Sequence, residues 1–530
     1  DAFYAAITPA NIGRETSIIY RQALAGLLWS KQYYRFDVDR WINTSDGITA
    51  VSDNRRNGRN HDWKHLNNAD VISMPDKWEY PWYAAWDLSF QCIPMAMLDP
   101  TFAKQQLLLL TREWYMKPDG QLPAYEWNFG DVNPPVQAWA ALQVYAIEKR
   151  NSGTGDIAFL KKIFQKLLLN FTWWINRKDK NGNNIFEGGF LGLDNIGVFN
   201  RSHHFFQEVH LEQADGTSWM GTYALNMMDM AIEISLHDES FEDMVTKFFE
   251  HFVLIAESLN EHHLWCDEDL FYYDVLVRKN EAPLPLRIKS IVGLTPLFAV
   301  SLLERHKLDK LKDFEKRYQW FEKYQKLKKK FWPNEQRQDE VTLLSLVPKE
   351  KLEHLLRRLL DEAEFLSPGG IRALSKYHNT APYSVHIDGN EYAIRYDPGD
   401  STSDIFGGNS NWRGPVWMPI NYLIIQSIKS FGAFYGDDLV VEFPTGSGNK
   451  LNLTQIAAQL TQRVLSLFKK DAAGNRRYNA EYNWFYRQPG NEDLLLFYEY
   501  FNGETGRGLG ASHQTGWTAL VAELIAGGRE

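Results

Sequence analysis

Two acidic residues stand where acids are costly. Asp194 lies in Gly188-Gly-Phe-Leu-Gly-Leu-Asp194-Asn-Ile-Gly197, an apolar, glycine-rich run with no neighbouring cation. Glu499 lies in Leu494-Leu-Leu-Phe-Tyr-Glu499-Tyr-Phe-Asn502, a lone acid among aromatic and apolar neighbours. Desolvation raises a carboxyl pKa, which suits a group that must hold a proton at neutral pH. A buried carboxylate without a partner is seldom kept without a role. Simpler readings exist for both: Asp194 as the cap of the segment that follows it, and Glu499 as a core acid bonded to a tyrosine hydroxyl. The two are 305 residues apart, so they meet only if the chain closes on itself. Two opposed carboxylates with a sugar between them is the layout of glycosidic-bond hydrolysis.

The aromatic content points the same way. The 530 residues include 19 Trp, 25 Tyr and 31 Phe, and many lie in Gly/Pro/Asn/Asp-rich segments rather than in helical stripes. Trp78, Trp82 and Trp86, Tyr125 and Trp127, Trp412 and Trp417, and Trp484 and Tyr486 are of this kind. Flat apolar rings beside carboxylates and amides are what a sugar site needs. Other chemistries lack their residues. No Gly-x-Gly-x-x-Gly follows a strand pattern, and neither Gly-x4-Gly-Lys-Ser/Thr nor Gly-x-Ser-x-Gly occurs. His203-His204 and His262-His263 are adjacent pairs, which do not share a helix face, so no zinc site is expected. Asp397, Asp400 and Asp404 are acidic enough to hold calcium, but neither a metal nor a cofactor is expected. The net charge of −10 excludes a basic nucleic-acid or membrane-surface footprint, and no apolar run reaches the length of a membrane span. Cys92 and Cys266 read as reduced core residues, which favours a cytoplasmic setting. The oligomeric state has no signal.

The elements that must carry these loops are helical. Amphipathic segments are expected near 15–33, 82–98, 100–116, 134–149, 156–176, 217–237, 241–260, 291–306, 309–331, 349–364, 415–431, 453–469 and 515–527. Strand-like alternation is sparse, best around Phe271–Val277 and Val385. Turn signals such as Asp179-Lys-Asn-Gly182-Asn183 and Asp471-Ala-Ala-Gly474-Asn475 follow helices and read as structural turns. The expectation is an all-α chain, a toroid of paired helices with its long loops on one face.

Three stretches resemble a known family. Gly-Phe-Leu-Gly-Leu-Asp194-Asn, Asn411-Trp-Arg-Gly-Pro-Val-Trp417, and Glu499-Tyr-Phe-Asn followed by His513-Gln-Thr-Gly-Trp517 are similar to motifs of glycoside hydrolase family 63. That family includes processing α-glucosidases and mannosylglycerate and glucosylglycerate hydrolases. The segment Asp70–Asp87, ending Tyr80-Pro-Trp-Tyr-Ala-Ala-Trp86-Asp87, resembles a bacterial glucosidase-like subgroup. The resemblance, from about Asn11 to Ile525, implies an (α/α)6 barrel and an inverting mechanism. By motif it makes Asp194 the general acid and Glu499 the general base. It places Trp86, Asp87, Trp412 and Trp417 around the −1 sugar. The whole of 1–530 is expected to be one catalytic domain, without the N-terminal β-domain of longer relatives. The Gln-Trp-Asp signature of trehalases is missing, which argues against trehalose.

Weaker candidates for contacts with sugar hydroxyls are Tyr125, Glu126, Trp127 and Gln137, in or beside a Pro-rich loop, Asp215 at a helix start, and Arg413 between Trp412 and Gly414. Asp215 reads equally as an N-cap. The expected partner is a carbohydrate substrate, favoured as a short neutral α-glucoside. Arg201, His203, His204 and Arg372 leave open an anionic aglycone such as glycerate. A non-catalytic carbohydrate-binding barrel would need neither acid. A polysaccharide lyase would need a Tyr/His base and cations against a uronate, which the motif loops do not provide.

Overall fold

The structure is a computed structural model. It describes residues 2–45, 51–58, 60–125, 132–179, 182–186, 192–198, 201, 209–328, 331–337, 340–387, 389–403, 405, 410–512 and 516–527. Helices dominate. The longer ones are α1 (Arg14–Trp29), α2 (Ala85–Leu98), α3 (Pro100–Leu110), α4 (Gln137–Ser152), α5 (Ile157–Ile175) and α6 (Ala214–Ser235). They continue with α7 (Glu242–Glu261), α8 (Lys312–Lys328), α9 (Lys349–Leu359), α10 (Met418–Tyr435), α11 (Leu453–Leu465) and the short α12 (Leu520–Ala526).

Local chemistry starts and faces them. Asp156 accepts the Phe159 amide at the start of α5. That helix then buries Phe159, Leu160, Ile163, Phe164, Leu167 and Phe171 along one stripe. Asp99 caps α3 in the same way, with Pro100 in its first turn. In contrast, α2 is buried almost all round, from Ala85 to Met97. A helix apolar on every side belongs inside other helices.

The buried helices follow one another in a closed succession. α2 packs on α4, α4 on α6, and α6 on a short 3-10 turn, Thr295–Phe298. That turn packs on α10, α10 on α12, and α12 back on α2. Outside them, α3 lies on α2 and α4, α5 on α4 and α6, α7 on α6, α11 on α10, and α1 on α12 and α2. Side chains from all these elements form a single hydrophobic core.

One expected helix is broken up. Residues 291–306 form two 3-10 turns, then β1 (Val300–Glu304), then one helical turn. β1 pairs antiparallel with β2 (Val341–Ser345), burying Ser301 and Leu303. A short apolar run that follows Gly293 and Pro296 suits a strand as well as a helix, and the partner strand decides it. The small sheets are more numerous than the sequence suggests, though each has only two or three strands. The sheet that matters for the site has the order β3 (Val416–Trp417), β4 (Tyr500–Phe501), β5 (Gly508–Leu509), and it pairs Trp417 with Tyr500.

The two turn motifs use their acids on themselves. Asp179 accepts the amides of Asn183 and Ile185, and Asp471 those of Ala473 and Asn475. Gly182 and Gly474 take positive φ there. No helix of the described residues is long and apolar enough to cross a membrane. Cys92 and Cys266 are free and buried.

Candidate active site

The two acids share one cavity. It has a volume of about 380 Å³, and its lining includes Trp86 and Asp87 from the first turn of α2, Gly192 and Asp194, Trp412, Trp417 and Glu499. Tyr80, Trp82, Tyr125, Asn133, Ser410 and Trp517 complete much of the wall. Asn133 accepts the Trp86 amide, joining the loop before α4 to the start of α2.

β4 positions Glu499. The Glu499 amide donates to the Ala511 carbonyl at 2.9 Å, and its own carbonyl accepts the Trp517 indole N–H at 3.1 Å. The carboxylate then accepts the Ala511 amide at 3.2 Å and the Tyr80 hydroxyl at 3.3 Å through Oε2. The tyrosine bond envisaged for a core acid is therefore present, yet the same carboxylate also faces the cavity. Gly510 makes this approach feasible. It sits at φ +69°, and a Cβ there would lie 2.3 Å from Glu499 Oε2. Gly510→Ala is expected to leave the helical far-UV spectrum unchanged and to lower any hydrolytic rate at least tenfold, because the carboxylate must move. An unchanged rate would mean that Glu499 is not held where it acts.

The Asp194 loop is tied down by its neighbours. The Asn195 side chain donates to Asn411 Oδ1 at 3.0 Å and accepts the Trp412 amide at 2.6 Å. Arg413 donates to the carbonyls of Asn195 and Gly197 at 2.7 and 2.9 Å. Gly192, at φ +114°, lies so close to Trp86 that a Cβ would be 2.6 Å from its ring. The rings form a continuous wall. Trp412 and Trp417 stack at 3.9 Å and 2°, Trp417 stacks on Tyr500, and Trp86 meets Trp412 and Trp517.

The electrostatics follow from the burial of these carboxyls. Burial, and then the charges of Asp87 and Asp194, push the Glu499 carboxyl up to about 8 against a hydrogen bond from Ala511. Burial and the charge of Asp194 likewise push Asp87 up to about 7, opposed by a backbone hydrogen bond. Neighbouring carboxylates that discourage one another's ionisation retain a proton between them.

Several expected contacts fall elsewhere. Asp215 is buried against Arg201, whose other guanidinium nitrogen donates to it at 2.8 Å, and Arg201 also reaches Asp274 at 3.2 Å. Asp215 is thus a structural ion-pair partner and not part of the cavity wall. Arg413 is spent on backbone carbonyls, and Gln137 is buried as the first residue of α4, outside the lining. Arg201 and Arg372, considered for an anionic aglycone, are 6% and 2% exposed. Arg372 is held by Glu504 and Tyr396. Glu126, Trp127, His203, His204 and Asp404 lie outside the described residues. Among the described residues no group of His, Cys, Asp or Glu is arranged to hold a metal. Tyr80 was missed by sequence reasoning. It lies 419 positions from Glu499, and its only signal is its place in the aromatic segment before Trp86-Asp87.

A predominantly helical fold whose tryptophan-walled cavity carries three acids is the arrangement expected of a carbohydrate-active protein. The family model described as "Mannosylglycerate hydrolase MGH1-like glycoside hydrolase domain" matches residues 80–190 and 314–518. The chain belongs to this family, within glycoside hydrolase family 63. It is 49% identical over 99% of its length to an uncharacterized protein of Saccharomyces cerevisiae, of which the match covers 50%. It is 25% identical over 34% of its length to the mannosyl-oligosaccharide glucosidase of the same yeast, of which 16% is covered. The chain thus spans half or less of these curated relatives. Among solved structures, the GH63 mannosylglycerate hydrolase from Thermus thermophilus in complex with glucose has a TM-score of 0.53 at 14% identity, over 96% of this chain and 99% of that one. The neutral trehalase Nth1 of S. cerevisiae has a TM-score of 0.55 at 11% identity, over 98% and 95%. At these identities the likeness is one of fold.

Proposed function

We propose that this chain is a single catalytic domain on an (α/α)6 barrel that hydrolyses a terminal α-glucosidic bond with inversion. The observation that carries the reading is that Asp194 and Glu499, far apart in sequence, line one aromatic-walled cavity. The closed succession of buried elements, five of them helices backed by outer ones, supports the barrel. Asp194 protonates the glycosidic oxygen, and Glu499 takes a proton from the water that attacks the opposite face of the sugar. Room for that water calls for carboxyl groups roughly 6.5–9.5 Å apart. Trp86 and Trp412 provide the apolar face against which the ring lies, backed by Trp417 stacked between Trp412 and Tyr500, and Asp87, Tyr125 and Asn133 are within the same wall to receive its hydroxyls. A non-catalytic sugar-binding protein would need the rings but not two acids brought together in one cavity.

A neutral aglycone suits the cavity better than an anion. Arg201 and Arg372, the buried cations considered for an anion, already have acidic partners and are not in the cavity wall. Mannosylglycerate or glucosylglycerate hydrolysis is the second reading, favoured by the description of the matching family model. A cytoplasmic location belongs to the proposal and rests on the two buried free thiols.

The test is a hydrolysis screen of the purified chain against α-gluco- and α-manno-disaccharides, glucosylglycerate and mannosylglycerate, with the released anomer read by NMR. Release of β-glucose from a neutral α-glucoside is expected. Release of mannose alone would sink the glucosidase assignment, and an α product would overturn inversion.

A further inference from the structure

A second cavity, of about 450 Å³, lies at the other end of the same helices. Its wall includes Tyr145 and Lys149 of α4, Asp229 and Glu233 of α6, and Ser430 of α10. The first cavity sits at the opposite ends, where Asn133 precedes α4 and Trp417 precedes α10. Along α10, the thirteen positions from Trp417 to Ser430 correspond to about 20 Å at the helical rise. The two cavities are therefore separate.

The charges of the second cavity do not balance. Three carboxylates, Asp229, Glu233 and Glu304, meet two ammonium groups, Lys149 and Lys307. Glu233 is taken by Lys149 at 2.6 Å and by the Tyr145 hydroxyl at 2.8 Å. Glu304 is taken by Lys307 at 2.9 Å. Asp229 accepts the neutral Ser301 hydroxyl, at 2.8 Å, and forms no ion pair within 4 Å among the described residues; the cation that acts on it from further away is Lys307, already paired with Glu304. The C-terminal ends of α4 and α6 add partial negative charge on the same side. The rest of the wall includes Leu142, Ile232, Leu303 and Leu308, which can cover an aliphatic stem. Among the described residues no group of three His, Cys, Asp or Glu is arranged to hold a metal, and the aliphatic wall suits the stem of an organic cation.

We propose that this cavity is a binding site for a small aliphatic ammonium compound, with Asp229 as its counter-ion and the leucines against its stem. Burial pushes the Asp229 carboxyl up to about 7, so binding is measured at pH 8, where the carboxylate is ionised and an alkylamine is still protonated.

The probe is 1,4-diaminobutane, titrated calorimetrically into the full chain, with 1,4-butanediol as a neutral match of the same length. Saturable binding of the diamine and none of the diol is expected. Asp229→Asn should weaken the diamine at least tenfold, and Ser430→Trp, which fills the cavity and keeps the carboxylate, should abolish binding. Both variants should retain the parent thermal midpoint to within a few degrees. Equal binding of diol and diamine, unchanged affinity in Asp229→Asn, or no diamine binding at millimolar concentration would each overturn the proposal. None of these readouts depends on glycoside hydrolysis.

Discussion

Asp194→Asn and Glu499→Gln are each expected to slow hydrolysis by roughly 10²–10⁴-fold, the range over which a positioned acid or base acts. Both substitutions keep the size of the side chain and remove only its ability to exchange a proton. Asp194→Asn should be rescued in part by substrates with a good leaving group, because such a group departs without protonation. Glu499→Gln should not be rescued in that way, since the attacking water still lacks its base. The pH profile distinguishes them further. A base must be ionised to act, and Glu499 is pushed up to about 8, so kcat/KM of the parent should rise with pH toward that value. Near-parental turnover in either variant would reassign that residue's role.

A second large effect is expected in stability. The folded chain holds the Glu499 proton up to about pH 8, whereas the unfolded chain releases it near the ordinary 4.5. Between those values the native state binds more protons, so stability falls as pH rises. The contribution of this group is full below about pH 4.5 and is lost as pH passes through about 8. Above that, a charged carboxylate is confined in a tryptophan-walled cavity beside Asp87 and Asp194. Glu499→Gln abolishes this penalty, which is roughly 1–5 kcal/mol for a shift of this size. The variant should therefore melt several degrees above the parent at pH 9 and close to it at pH 5. An equal melting difference at both pH values would show that the carboxylate is not desolvated as described. The same residue would thus be necessary for turnover and costly for the fold, the pattern expected where a site retains an unfavourable charge.

Much of this molecule was legible in order along the chain. The stripe of α5, the cap at Asp156 and the apolar character of α2 follow from side-chain periodicity and local hydrogen bonding, which need no distant partner. The oddity of Asp194 and Glu499 was equally local, an acid in apolar company. Segment 291–306 was not legible, because its apolar run becomes β1 only when Val341–Ser345 pairs with it. Asp215 and Arg413 looked like ligand contacts because their true partners, Arg201 with Asp274 and the carbonyls of Asn195 and Gly197, lie in other loops.

The sequence by itself determined that the chain is mainly helical, that it belongs with sugar-processing proteins by its motifs, and that two acids sit in apolar surroundings. Those properties depend on residue type and near neighbours. Only the tertiary structure decided that Asp194, Asp87 and Glu499 share a cavity, that Tyr80 binds Glu499, and that Gly510 leaves room for that carboxylate. It also decided that Asp229 faces a cavity at the far end of the helices with no cation in direct contact among the described residues. Each of these depends on a contact between segments dozens to hundreds of residues apart, and helical or strand periodicity does not reach that far.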